Sequence, residues 1–274
     1  MLFMKEGSMN QTFDIELMDL REVRDEGLLN FVYRNLYLPN FPIHEEQEDP
    51  SVWRPLLWGP LRNQLNPVLH ILVAGHFLRT KELRKVVGAL FAEFYKESKC
   101  GLLTYLVVHP NHRHQGIGKY LLQEGIQRLK TDAKKSGAKL QAVFGEVNNP
   151  SKVSVSQDSM NPEERLRIIA KLGARLIPIR YVQPELRPGQ GRSGYMFFVV
   201  FPLHERQEEY VSGNIVVVFL REFYQVQGVV DRDNDRDLLH VVTYIENKDI
   251  KLKELKLNKL NLGSGIDNKV FDPA

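Results

Sequence analysis

Cysteine is almost absent from this chain: Cys100 stands alone among 274 residues. An intrachain disulfide and a cysteine metal cage are both excluded. A single cysteine beside an apolar run reads as a small buried hydrophobe before it reads as a nucleophile. Long apolar runs are missing too. Compact stretches such as Ile215–Leu220 fall far short of the roughly 20 residues that span a bilayer. The opening Met1-Leu-Phe-Met-Lys-Glu lacks the basic, apolar, small-residue order of a secretion signal. No basic run is interleaved with aromatics, which argues against nucleic acid as a partner. These absences point to a cytoplasmic protein with no membrane, nucleic-acid or metal partner. They leave the oligomeric state open, a homodimer included. With 43% hydrophobic residues, the chain can bury a substantial core, as one large domain or one domain plus an extension.

The small net charge of +3 hides an asymmetry. Residues 1–50 carry four Lys/Arg against eleven Asp/Glu, whereas residues 79–139 carry thirteen against five. The basic segment suits a polyanionic ligand, and the acidic one could attract a cation. Inside the basic segment lies Val108-His-Pro-Asn-His-Arg113-His-Gln-Gly116-Ile-Gly118. It follows the apolar run Leu102–Val108 and opens an amphipathic stretch, so the order is strand, tight loop, helix. Glycines at a helix start allow close backbone approach, and N–H groups there favour negative charge. The chemical reading is a pyrophosphate cradle with Arg113 at its mouth. A Walker A loop is excluded because Gly118-Lys119 is followed by Tyr120. A dinucleotide fingerprint is excluded because its third glycine position holds Leu121.

Arg113-x-x-Gly116-x-Gly118, preceded by Val108-x-Pro110 and followed by Leu121-Leu122, resembles the acyl-CoA loop of the GNAT superfamily of N-acetyltransferases. The family form has a glycine directly after the arginine, where this chain has His114. The element order predicted along residues 12–203, β-α-α-β-β-β-α-β-α-β-β, is that of the same fold. The expected architecture is therefore α/β, an α+β mixed sheet of the GNAT acyl-CoA N-acyltransferase type, after a flexible N-terminus over residues 1–11. A largely helical C-terminal extension at 204–262 and a tail at 263–274 follow it.

The pattern predicts strands at Thr12–Leu17, Val68–Arg79, Lys85–Lys96, Gly101–Val108, Lys139–Val147, Arg175–Val182 and Gly194–Phe201. Helices are predicted over Leu20–Leu36, Val52–Leu65, Gly118–Lys135 and from Asn161 to Leu172, the last with Asn as N-cap and Pro at the first position. Tyr210–Val226 and Leu238–Glu246 also read as helical, and Ile250–Leu262 is ambiguous in period. The acidic run Asp231–Asp237 fails as a calcium loop, since Arg236 holds its glycine position and Val242 its twelfth.

The resemblance implies acetyl-CoA as co-substrate and an amine acceptor. It sets Leu106, Val107 and Val108 along the pantetheine arm. The amides from Arg113 through His114, Gln115, Gly116, Ile117 and Gly118 to Lys119 would hold the pyrophosphate. Asn148 and Asn149, at a strand end, could bind pantetheine amides or the acceptor, or simply form a turn before Pro150. Glu146, near the end of its strand, is the first choice of general base. Glu93, embedded in an apolar strand, is the second, since burial would raise its pKa. His109, His112 and His114 titrate in the right range but suit loop and phosphate contacts better. The family's usual tyrosine, which protonates the leaving thiolate, falls on Ile169, so Tyr181 or Tyr195 would have to serve, or the thiolate leaves as such. Tyr37–Asp49, the helix bearing Trp53 and Trp58, and the loop Ser151–Met160 would frame the acceptor. The leading expectation is acetyl transfer to a primary amine of a small molecule. A protein or peptide acetyltransferase and a non-catalytic CoA-binding module are the alternatives.

Overall fold

The structure, a computed structural model, describes residues 15–59 and 66–255. The expectations for the N-terminus, for Thr12–Asp14, for residues 60–65 and for 256–274 lie outside those residues. The core runs β1 (Glu16–Asp19), α1 (Glu26–Val32), α2 (Pro50–Trp58), β2 (Val68–His76), β3 (Lys85–Tyr95), β4 (Cys100–Val108), α3 (Ile117–Lys135), β5 (Val143–Asn148), α4 (Pro162–Lys171), β6 (Arg175–Leu176) and β7 (Met196–Phe201). That is the order read from the sequence. The C-terminal part adds β8 (Tyr210–Ser212), α5 (Gly213–Val226), α6 (Arg236–Ile245), β9 (Asp249–Lys251) and β10 (Lys253–Glu254).

Eight strands form one mixed sheet in the order β1-β2-β3-β4-β5-β7-β6-β10. β4 and β5 are parallel, joined by α3 as crossover, and the other neighbours are antiparallel. α3 and α4 cover one face through Leu121, Leu129 and Leu166, packed on Leu90, Val143 and Val199. Gly125 lets α3 sit close: a Cβ there would lie 2.3 Å from Leu90 Cδ2. The other face carries two separate layers. α1 and α2 bury Leu28, Leu29, Val32 and Trp53 against Ile71, Phe91 and Tyr105. α5 buries Val216, Phe219, Leu220 and Phe223 against Tyr95, Phe144 and Phe198. Each such side chain contributes about 1.5–3 kcal/mol on leaving water.

Local chemistry explains where elements begin and stop short of expectation. The first helix starts at Asp25, whose carboxylate accepts from Leu28 N at 2.8 Å; residues 20–24 are a turn, and a π-helical turn follows over Tyr33–Tyr37. The strand expected over Arg175–Val182 is only Arg175–Leu176, because Pro178 has no N–H to give the sheet. The strand expected from Lys139 begins at Val143, and the helix expected from Tyr210 begins at Gly213, after β8 has paired with β9.

One irregularity positions everything that follows. Phe91 faces Tyr105 and Ala92 faces Leu103, so Thr104 is an extra residue in β4. Such a bulge bends its strand. On the other side, β4 and β5 pair only at Gly101–Val143, Leu102–Phe144 and Leu103–Gly145. Beyond Leu103 the two strands part.

Candidate active site

A cleft of about 690 Å³ opens in that gap. Leu103, Leu106, Val107 and Val108 of β4 line it, with Gly145 and Val147 of β5 and Ile168, Ile169 and Leu172 of α4. Its mouth is basic. His112, Arg113, His114 and Lys119 come from the loop and α3, and Arg167 and Lys171 from α4. The contribution of α4 was not foreseen: an alternation of Arg and Lys on a helix carries no sign of what it faces.

The loop folds as a left-handed turn ahead of a helix. Val108 O accepts from Arg113 Nε at 3.3 Å, and Asn111 N donates to His109 Nδ1 at 3.3 Å. His114 has φ +62° and Gly116 has φ +82°. The first explains why glycine suits the position after the arginine. Histidine holds the same conformation here, at a cost of about 1–2 kcal/mol. Gly116 is the N-cap of α3, and no side chain caps the helix. The first-turn N–H groups of α3 are therefore left for a ligand, at the positive end of a 19-residue helix. Gly116, Ile117, Gly118 and Lys119 all line the cleft, while Gln115 does not; its amide reaches back towards Asn111 O.

Glu146 stands where this cleft meets a second, smaller space of about 60 Å³. That pocket lies between the α1–α2 layer and the α5 layer. Four carboxylates line it: Glu46 and Glu48 from the loop after α1, Glu93 from β3 and Glu146 from β5. Glu146 accepts from Tyr181 Oη in a short hydrogen bond, and both its oxygens accept from Gln183 Nε2 at 3.0 Å. Burial raises its pKa to about 7 against those hydrogen bonds, with the Glu48 charge adding to the rise. Burial likewise lifts Glu46 to about 7, opposed by Arg165, and Glu93 to about 8, helped by the charge of Glu48. Glu48 is also raised by burial, and Trp53 Nε1 donates to it at 3.0 Å.

The remaining expected residues divide. Asn148 lines the acidic pocket and donates to Asp158 at 3.3 Å. Asn149 lies in neither cavity; its Oδ1 accepts from Ser151 N and Oγ, the turn anticipated before Pro150. Tyr181 is buried and its hydroxyl is committed to Glu146, whose charge, after burial, pushes the phenol well above its usual range. Tyr195 Oη accepts from Ser193 Oγ at 3.2 Å. Ile169, at the family's tyrosine position, lines the cleft as an apolar wall. Trp53 is core, stacked edge-on against Tyr37, and Trp58 donates to Leu20 O. The Ser151–Met160 loop does reach the cleft, through Ser159 and Met160, and Ser159 Oγ donates to Asn40 O at 2.7 Å. Glu46, Glu48, Gln183, Phe223 and Gln227 were not singled out from the sequence. The first two lie in Tyr37–Asp49, expected to frame the acceptor, and in the acidic excess of residues 1–50, while nothing marked the other three.

Residues 32–152 match the family model described as the acetyltransferase (GNAT) family. No curated protein matches the chain in sequence. Among solved structures it is similar to the acetyltransferase of Bacillus subtilis in complex with CoA, at 14% identity and TM-score 0.39, covering 69% of this chain and 98% of that one. It is similar to the IAA acetyltransferase from Bacillus cereus ATCC 14579, at 14% identity and TM-score 0.38, covering 69% and 99%. It is also similar to the ribosomal-protein-S18-alanine N-acetyltransferase from Escherichia coli, at 13% identity and TM-score 0.36, covering 70% and 95%. The parted strands and the uncapped helix behind Arg113-x-x-Gly116-x-Gly118 lie within the matched segment: residues 32–152 form a GNAT-family acetyltransferase domain.

Proposed function

We propose that the protein is an acetyl-CoA-dependent N-acetyltransferase that acts on a primary amine of a small molecule by direct attack. The observation that supports this reading most is the place of Glu146, a carboxylate lining both the basic cleft and the acidic pocket. The cleft fits the co-substrate. Its volume of about 690 Å³ lies within the range of roughly 300–1,000 Å³ usual for ligand sites. Its walls are apolar where a pantetheine arm would run, and its mouth is cationic where a pyrophosphate would sit.

The residues then have distinct tasks. The first-turn amides of α3, with Arg113 and Lys119, hold the pyrophosphate. Leu106, Val107 and Val108 hold the arm against the splayed edge of β4. Glu146 takes a proton from the incoming ammonium, for which a pKa of about 7 is suited. The free amine forms its C–N bond at the thioester carbonyl, the C–S bond breaks with its electron pair leaving on sulfur, and the second proton of the nitrogen passes to water or to the departing thiolate. Ile169 cannot protonate that thiolate, and Tyr181 already donates to Glu146, so the sulfur leaves as the anion or takes a proton from water or from that nitrogen. Gln183 and Tyr181 hold Glu146 in place. A pocket of only about 60 Å³ favours the slim end of a small molecule over a protein surface.

Calorimetric titration with acetyl-CoA tests the reading. Binding in the micromolar range is expected, where such sites commonly operate. Absence of binding up to millimolar concentration would sink it. Activity on peptide amines with none on small amines would reverse the choice of acceptor.

A further inference from the structure

The acidic pocket holds more carboxyl groups than the reaction needs. One carboxylate, Glu146, suffices to take the ammonium proton. Glu46, Glu48 and Glu93 line the same space, and each is at most 8% exposed. Buried carboxylates are costly unless paired with cations, and their hydrogen-bond donors here are neutral: Trp53 Nε1 on Glu48 and Tyr95 Oη on Glu93, at 3.0 and 2.7 Å. Neither nearby arginine makes an ion pair with these three carboxylates: Arg165 lines the pocket, opposes the rise of Glu46 by its charge and keeps a buried Nε without a partner, but its Nη2 is paired with Asp158, and Arg187, whose field reaches Glu48, donates to Gln190.

Two acceptor atoms are left over. Glu46 Oε1 and Gln183 Oε1 are buried without a hydrogen-bond partner, on side chains 8% and 5% exposed that both line the pocket. Gln183 gives its amide N–H groups to Glu146, which fixes its carbonyl as an acceptor. No three acidic or imidazole side chains among the described residues are grouped to hold a metal ion. What the space calls for is a slim cation with several N–H donors, reaching inward from Glu146.

Resting on the acetyltransferase reading above, we propose that the acceptor is an aliphatic diamine or polyamine, one nitrogen reacting beside Glu146 and a second ammonium held by Glu46, Glu48 and Glu93. Phe223 and Gln227, at the end of α5, line the same pocket. The C-terminal extension is then a specificity element that limits the length of the carbon chain.

The test compares matched amines on the full-length protein: putrescine against butylamine and cadaverine against pentylamine. Binding is followed by calorimetry with CoA present, and thiol release is followed separately with acetyl-CoA. The diamines are expected to bind and to exceed the monoamines in kcat/KM by about a hundredfold or more, because a monoamine leaves the inner carboxylates unpaired. Glu48→Gln, close to isosteric, is expected to lower that ratio at least about tenfold. Equal binding and turnover of each pair would overturn the proposal while leaving the acetyltransferase reading intact. Diamine binding without thiol release from any amine would leave the binding preference standing and overturn the enzymatic reading instead. The wild-type comparison needs no variant, so a misfolded substitution does not blunt it.

Discussion

The basic cleft and the acidic pocket open from the same parting of β4 and β5, yet they are assembled in opposite ways. The largest single share of the cleft is one contiguous segment, the end of β4, a loop and the start of α3 over residues 103–122, faced by α4, β5 and a few residues of other strands. Its chemistry is backbone chemistry, amides and a helix end, and needs glycine at one fixed place. The pocket draws on eight separated stretches, from Phe41 to Gln227. Its chemistry is side-chain charge, brought together only when two helical layers close over one sheet face. A ligand common to many reactions can be held by a local motif. A selected acceptor is met by parts that can vary independently.

The comparison breaks most sharply at Gly116. Gly116→Asp is expected to abolish acetyl-CoA binding, since its carboxylate would face the pyrophosphate at the helix N-terminus. The left-handed backbone there, φ +82°, costs Asp about 1 kcal/mol, while Asp is itself a favoured N-cap, so the fold should survive. Gly116→Asn carries the same strain without the charge and should bind measurably better. Calorimetry with circular dichroism on both variants checks this. If the Asp variant folds and binds normally, the cradle is elsewhere.

At the junction of the two cavities, Glu146→Gln is expected to lower kcat by about 10²–10⁴-fold with little change in acetyl-CoA affinity. In the wild type, kcat/KM should rise with pH through about 7, as Glu146 loses its proton. That limb should vanish in the variant. A pH profile unchanged by the substitution would move the base to another residue, Glu93 being the next in the pocket.

The same contrast governs what was legible in the sequence. Strand, loop and α3 could be read residue by residue because the motif is contiguous and its periodicity switches cleanly. Glu146 is chosen as candidate base by its place near a strand end, and that place holds although β5 begins at Val143, four residues later than expected. The short β6 was misread because Ile177 and Ile179 continue an apolar alternation that Pro178 interrupts. That interruption matters, since past it the chain carries Tyr181 and Gln183 to Glu146. Of the inner carboxylates, Glu93 stands out on its apolar strand, but Glu46 and Glu48 do not individually: they lie in a run of acidic residues that looks like solvated surface until Tyr37 and Trp53 are packed beside it. Tyr37 Oη accepts from Glu48 N at 2.7 Å, and that anchoring turns a charged loop inward.

The C-terminal extension gives a smaller but distinct effect. Glu222 of α5 is buried and accepts from Glu97 N and Ser98 N, at 2.8 and 2.7 Å, tying the helix to the β3–β4 turn. Glu222→Ala leaves two backbone donors without partners and is expected to destabilise the protein by about 2–4 kcal/mol. Glu222→Gln keeps one acceptor and should lose less. Thermal melting of both, with diamine binding measured in parallel, would show whether α5 holds the acidic pocket in shape. Melting points equal to the wild type would mean that the extension is docked by its apolar contacts alone.

The smallest expected effect lies away from both cavities and provides a control for them. His70 is buried in β2 between two aspartates, Nδ1 to Asp19 and Nε2 to Asp132, each at 2.7 Å, with Arg128 beside Asp19 at 3.4 Å. Burial alone would lower its pKa, but the two carboxylates outweigh that and raise it above the ordinary 6.5. A histidine whose folded value exceeds its unfolded one stabilises fully below about pH 6.5 and loses that contribution as pH rises through the folded value. Each unit of difference is worth about 1.4 kcal/mol. The raised carboxylates Glu46, Glu93 and Glu146 tilt stability in the same direction, since burial favours their protonated forms, so the melting curve of the wild type does not isolate His70. The difference between the wild type and His70→Gln does, because the acidic pocket is common to both. That difference should shrink as pH rises above 6.5. A difference constant with pH would mean that His70 is neutral throughout and holds the strand to α3 by hydrogen bonds alone.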